Sequence, residues 1–165
     1  MLPFQIFKEI VEHTPLVSID FVVRAPDKKV LLGKRVNRPA KEYWFVPGGR
    51  ILKNETFKES FERLLDEELG LKVSDIKIKP LGVYQHFYED SFSTDSFGTH
   101  YIVLAYELNL SSEMYSFPCI QHSDYKWINV NKLLKSNMVH EHTKWYFLNN
   151  KNADHGLHDF LCETQ

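Results

Sequence analysis

A chain of 165 residues, 43% apolar and 14% aromatic, is long enough for one domain with a substantial core. Its net charge of −2 gives no reason to expect nucleic-acid or acidic-membrane binding. No apolar run approaches the roughly 20 residues of a membrane span, the opening residues do not read as a signal peptide, and Cys119 and Cys162 form neither a metal-type pair nor a disulfide framework, so a reducing cytoplasm is the expected compartment.

The first element is a helix with an apolar stripe of Phe4, Phe7, Ile10 and Val11, stopped by Pro15. Residues 16–24 and 30–35 read as two strands around a turn at Pro26-Asp27. In the first strand Val17, Ile19, Phe21 and Val23 share one face. Ser18 and Asp20 share the other, which is either solvated or the wall of a polar pocket. Thr56-Phe57-Lys58-Glu59 is a capping-box pattern, so a second helix starts near residue 56. Residues 81–89 and 99–109 read as long strands around a polar loop. Gln121-His122 precedes a short strand at Tyr125-Lys126-Trp127-Ile128, and helices follow near 130–135 and 139–148. From about residue 149 the chain turns polar. The order predicts a single domain over 1–165, with a mixed sheet sandwiched between helices in an α/β (α+β) architecture.

The second helix holds the most informative residue. At about 100° per residue, Phe57, Phe61, Leu64 and Leu65 share one face, and Glu68 falls in its middle. A carboxylate aimed at a core needs a compensating charge, either a bound cation or a buried Arg or Lys. Lys34, Arg35, Arg38 and Arg50 flank the Gly48-Gly49 turn in sequence. They form either a solvated basic edge or a phosphate site, for which the guanidinium fork is suited. His86 and His100, on strands among aromatics, read by themselves as packing residues. His122 reads as an exposed loop residue or as a base near neutral pH. His13, His140, His142, His155 and His158 show no partner pattern.

The spacing of Gly49, Glu55, Arg63, Leu65, Glu67, Glu68, Gly70 and Leu71 resembles the Nudix box, with Leu64 standing where the box has Glu. Six further segments resemble the GDP-mannose mannosyl hydrolases, an atypical Nudix family: Thr14-Pro-Leu-Val-Ser-Ile-Asp20, residues 32–40, Tyr43-Trp-Phe-Val-Pro-Gly-Gly-Arg50, Gln85-His-Phe-Tyr88, Thr99-His-Tyr101, and Gln121-His122 with Asp124-Tyr125. Those enzymes also lack the carboxylate at the position of Leu64, whereas acidic Glu67 departs from them and leaves a second metal open.

The resemblance implies the Nudix fold and hydrolysis of GDP-mannose, with GDP-glucose as a further substrate, to GDP and free sugar. Water attacks the anomeric carbon with inversion. It implies His122 as general base, and Mg²⁺, replaceable by Mn²⁺, on a carbonyl of Gly48 or Gly49, on Glu68 and on Gln121. Arg35 would neutralise the departing diphosphate, with Asp20 and His86 on the leaving group or sugar. Lys34 and Arg50 would bind substrate, and Tyr101 and Phe7 would stack on guanine. Glu55, Arg63 and Glu67 would support the box, and a homodimer is expected. Two rival readings are an ordinary Nudix pyrophosphohydrolase yielding GMP and sugar 1-phosphate, and a non-catalytic nucleotide-sugar sensor.

Overall fold

The computed structural model describes residues 2–94, 96–111, 117–118 and 122–148, with Asp75 and His122 described in their backbone only. Gln121, Cys119, Cys162, His155, His158 and the polar tail lie outside the described residues. The elements are α1 (Phe4–His13), β1 (Leu16–Arg24), β2 (Val30–Arg35), β3 (Trp44–Phe45), β4 (Gly48–Arg50), α2 (Phe57–Leu69), β5 (Lys77–Tyr88), β6 (Thr99–Asn109), β7 (His122–Ile128), α3 (Val130–Lys135) and α4 (Glu141–Trp145). No described helix is long and apolar enough to cross a membrane.

The strands form a mixed sheet in the order β3-β2-β1-β6-β5, with β4 paired to β1 and β7 to β2. β1 runs parallel to β6 and antiparallel to β4, where Asp20 faces Gly48 and Ile19 faces Gly49. A strand that is covered on both sides needs apolar residues on both. Ile19, Phe21 and Val23 accordingly pack with Leu64, Leu65 and Leu69 of α2. Val22 packs with Leu133 of α3 and Val139 before α4. The face shared by Ser18 and Asp20 is therefore covered, and Ser18 is buried.

Local chemistry explains the box helix. Thr56 accepts the Glu59 amide while the Glu59 carboxylate accepts the Thr56 amide, closing a capping box. Gly70 ends the helix at φ 64°, the left-handed conformation that glycine adopts without strain. Phe57, by contrast, is 68% exposed and does not join Phe61, Leu64 and Leu65 in the core. Val17 is exposed as well.

Two strands exceed their sequence-based bounds. β5 begins at Lys77 rather than near 81. It is the last strand in the sheet order, so Lys77, Lys79 and Pro80 sit where charge and a missing amide are tolerated. β7 begins at His122, which is a strand residue opposite Arg35 rather than a loop residue.

Candidate active site

One end of β1, the Gly-Gly strand, α1 and the loops after β2 and β5 surround a cavity of about 560 Å³. Its walls include Asp20, Arg35, Gly48, Gly49, Arg50, Leu64, Glu67, His86 and Tyr101. That volume is in the range of small-molecule sites.

The box residues are fixed from within α2. Arg63 donates through Nε and Nη2 to the two Glu55 oxygens at 2.5 and 2.8 Å. Its Nη2 also donates to the Arg50 carbonyl at 2.9 Å, and its Nη1 to Glu67 at 2.8 Å. Arg63 thereby ties the helix to β4 and orients two carboxylates. These bonds, the Arg63 contact first and the Leu52 amide second, hold the Glu55 carboxyl down at about 2. Glu68 is 2% exposed, as its place on the helix wheel predicts. The turn carrying it is tied to β7 by Tyr125, whose Oη lies 3.1 Å from the Glu68 carbonyl.

Asp20 and Glu68 come together from β1 and α2. Burial is the larger cause, and the Glu68 charge adds to it, so the Asp20 carboxyl is pushed up to about 6 against the opposing pulls of Tyr146 and Arg35. Gly48 is required beside them. A β-carbon there would collide with the Ile19 carbonyl oxygen and lie 2.7 Å from Asp20 Oδ1.

The basic residues divide. Arg35, Arg38 and Arg50 line the cavity. Lys34 does not: neighbours on a strand point to opposite faces, and its Nζ pairs with Glu42 at 2.8 Å. The Arg35 guanidinium lies 5.2 Å from the Phe45 ring centre, and that of Arg50 lies 4.1 Å from Phe7. Phe7 also meets Phe92 at 4.7 Å, so it belongs to the cavity wall. Tyr101 lies edge-on to Tyr88 at 6.2 Å. The His122 backbone is placed opposite Arg35 at the rim strand, and Gln121 precedes it outside the described residues.

Several residues that the sequence did not single out complete the site. Tyr146 donates its hydroxyl to Asp20 Oδ2 at 2.7 Å. His142 lies flat on His86, a residue the resemblance had placed in the site and which is 3% exposed, with ring centres 4.3 Å apart. His140 stacks on Phe45 at 4.6 Å. Tyr146 is 126 positions from Asp20 in the chain, and no local spacing signals that contact.

A family model described as NUDIX domain matches residues 14–148. The chain belongs to the Nudix family. This Nudix chain is 40% identical over 126 residues to the low-salt glycan biosynthesis protein Agl8 of Haloferax volcanii, covering 76% of this chain and 78% of that one. It is 40% identical over 72 residues to the ADP-ribose pyrophosphatase of Methanocaldococcus jannaschii, covering 42% of this chain and 40% of that one. The MutT NUDIX hydrolase from Burkholderia pseudomallei superposes with a TM-score of 0.64 at 21% identity, covering 81% of this chain and 96% of that one. The NUDIX domain of Shewanella oneidensis NrtR, complexed with ADP ribose, gives 0.63 at 20% identity, covering 88% and 96%. At such identity the likeness establishes the Nudix fold, a mixed sheet with helices, and not a substrate.

Nudix hydrolases generally use divalent metals. Among the described residues no group of three or more His, Cys, Asp or Glu gathers as a metal cluster. What the turn offers is oxygen: the buried Glu68 carboxylate and the carbonyls of a glycine pair on which no β-carbon fits. An all-oxygen set with few protein ligands suits Mg²⁺, which keeps several waters. Glu67, held by Arg63 and half-exposed, lies at the cavity edge.

Proposed function

We propose that this Nudix hydrolase is a Mg²⁺-dependent GDP-sugar hydrolase, with GDP-mannose as preferred substrate, that releases GDP and free sugar. The observation that carries the reading is Leu64. It packs against Gly49, where the box supplies a carboxylate, beside a cavity that keeps Asp20, Arg35, Arg50 and His86. In-line attack on phosphorus gains from metals clustered on carboxylates. Attack on a sugar carbon needs a stabilised leaving group and a base for water.

In this reading a water oxygen bonds to the anomeric carbon, and the carbon–oxygen bond to the diphosphate breaks with inversion. His122 takes the water proton, and the bonding pair leaves on the diphosphate oxygen. Glu68, Gln121 and a carbonyl of Gly48 or Gly49 would hold Mg²⁺, which supplies positive charge beside the diphosphate. Arg35 neutralises the leaving group from the opposite strand, and Arg50 binds phosphate or sugar. Asp20 and His86 meet the sugar end. Tyr101 and Phe7 offer ring faces to the base. The name of the Haloferax relative, a glycan biosynthesis protein, agrees with a sugar-bearing substrate. A cytoplasmic homodimer belongs to the same reading.

A second reading, cleavage to GMP and sugar 1-phosphate, is favoured by the intact Glu55–Arg63–Glu67 network and by the segment shared with an ADP-ribose pyrophosphatase. Hydrolysis in ¹⁸O-water separates the two. Label in the released mannose, formed first as the β anomer, is expected. Label in a phosphate, with GMP as product, would establish the second reading. Tight GDP-mannose binding with no turnover would indicate a sensor.

A further inference from the structure

We propose that Tyr146 is a positioning residue that holds the Asp20 carboxylate by one oxygen, Oδ2, and so keeps the other, Oδ1, on the cavity side as the acceptor for a hydroxyl of the substrate's sugar. The inference rests on the GDP-sugar reading of the cavity for the identity of that hydroxyl, and on geometry for the hold on Asp20.

Asp20 stands at the middle of β1 and lines the cavity, whereas Tyr146 is not among the lining residues. The Tyr146 Oη lies 2.7 Å from Asp20 Oδ2 and 3.3 Å from His86 Nε2. A phenol has one proton, and the shorter contact takes it, because a bond to a carboxylate is charge-assisted. Oδ1 accepts no hydrogen bond among the described residues, yet it is not sealed in the core. It stands against Gly48, a cavity residue, 2.7 Å from where a β-carbon on that glycine would lie. The two oxygens are thus divided, one bound by a buried phenol and one on the side of the Gly-Gly strand. An ionised carboxylate only accepts, so Oδ1 suits a sugar hydroxyl and repels phosphate oxygen.

The strand that faces this carboxylate is held from the same element. Asp20 pairs with Gly48 across β1 and β4. Thr143 of α4 accepts the Val46 amide at 3.4 Å, and Pro47, between Val46 and Gly48, accepts the Phe21 amide at 2.8 Å. Tyr146 follows α4 directly, with its ring edge-on to Tyr84 at 4.8 Å. One short helix therefore ties the approach to the Gly-Gly strand through Thr143 and the Asp20 carboxylate through Tyr146. Without the phenol the carboxylate regains rotation about its side-chain bonds, and Oδ1 loses its fixed direction.

The test compares Tyr146→Phe, Asp20→Ala and the double variant of the full chain with wild type. Tyr146→Phe keeps the ring and removes only the oxygen. It should lower kcat/KM for GDP-mannose about tenfold, the scale of losing a partner that orients a binding group. GDP carries no mannose, so its inhibition constant should stay within about twofold of wild type if only the sugar contact is disturbed. In the Asp20→Ala background the same change should cost less than about twofold, because the group it acts through is gone. An unchanged kcat/KM in Tyr146→Phe, or a loss as large without Asp20 as with it, would overturn the assignment. So would a GDP constant that rises in step with the loss, which marks a general collapse of the site. Should Asp20→Ala prove inactive, the single Tyr146 variant and its GDP control decide the matter on their own. Should wild type release no mannose from GDP-mannose, the reading of the reaction fails. The same variants are then measured on the nucleotide derivative that wild type does cleave, with its nucleotide product as the inhibitor, and the positioning role stands or falls on the same criteria.

Discussion

Leu64 and Gly49 touch so closely that a β-carbon on Gly49 would come within 2.6 Å of Leu64 Cδ2. The helix thus presses hydrocarbon against the Gly-Gly strand at the point where the Nudix box supplies a carboxylate. Leu64 is 2% exposed and packs in the core beneath β1. Leu64→Glu should therefore destabilise the metal-free protein by about 2–4 kcal/mol, the combined cost of lost packing and a desolvated acid. Mg²⁺ should restore more of the unfolding midpoint in this variant than in wild type. Thermal unfolding with and without Mg²⁺ checks this, and an unchanged midpoint would mean that the site tolerates the charge.

Glu68 and Glu67 are neighbours in the chain with opposite surroundings. Glu68 is buried beside Asp20, whereas Glu67 is half-exposed and held by Arg63. Glu68→Gln should lower turnover about a hundredfold or more and weaken Mg²⁺ activation, as loss of a metal-holding group does. Glu67→Ala should cost less than tenfold, the lesser effect of a supporting residue. Metal titration of kcat for both variants is the measurement, and equal small effects would remove Glu68 as the principal ligand.

His122→Gln addresses the base. In wild type the rate should fall on the acid side as imidazole protonates. The variant should bind GDP-mannose as before, lose most of kcat and show a flat acid limb. A pH–rate profile that keeps its acid limb would take His122 out of the mechanism.

His140 predicts a pH effect on stability. Burial first, then the charges of Arg35 and Lys144, lower its imidazole from 6.5 to about 4. The folded state therefore favours the neutral ring. The stability from this group is fully present above pH 6.5 and is lost as pH falls through about 4. His140→Phe should flatten that part of the curve of unfolding midpoint against pH, and a curve parallel to wild type over the same interval would show that another group governs it.

Much of this protein is legible in its sequence. The box helix declares itself because its signals are local: Thr56 and Glu59 cap one end, Gly70 ends the other, and Glu68 interrupts an apolar face. The alternation in β1 separated Ile19, Phe21 and Val23 from Ser18 and Asp20. Pattern alone could not say whether Asp20 met water or a pocket. Only packing decides that, because α4, more than a hundred residues later in the chain, brings Tyr146 over it.

The same distinction runs through the rest of the site. Lys34 and Arg35 look equivalent in a basic run, yet only Arg35 faces the cavity, since β2 pairs with β3 and β7 in one register. Phe57 and Phe61 look equivalent on a helical wheel, yet only Phe61 reaches the core, against Phe21 at 5.1 Å. His86 lies more than fifty positions from His142 and meets it only because α4 docks beside β5. Capping, turns and periodicity are set by residues within a few positions of each other, so the chain displays them directly. Burial, charge state and hydrogen-bond partnership depend on which distant element arrives to exclude the water, and only the assembled tertiary structure settles them.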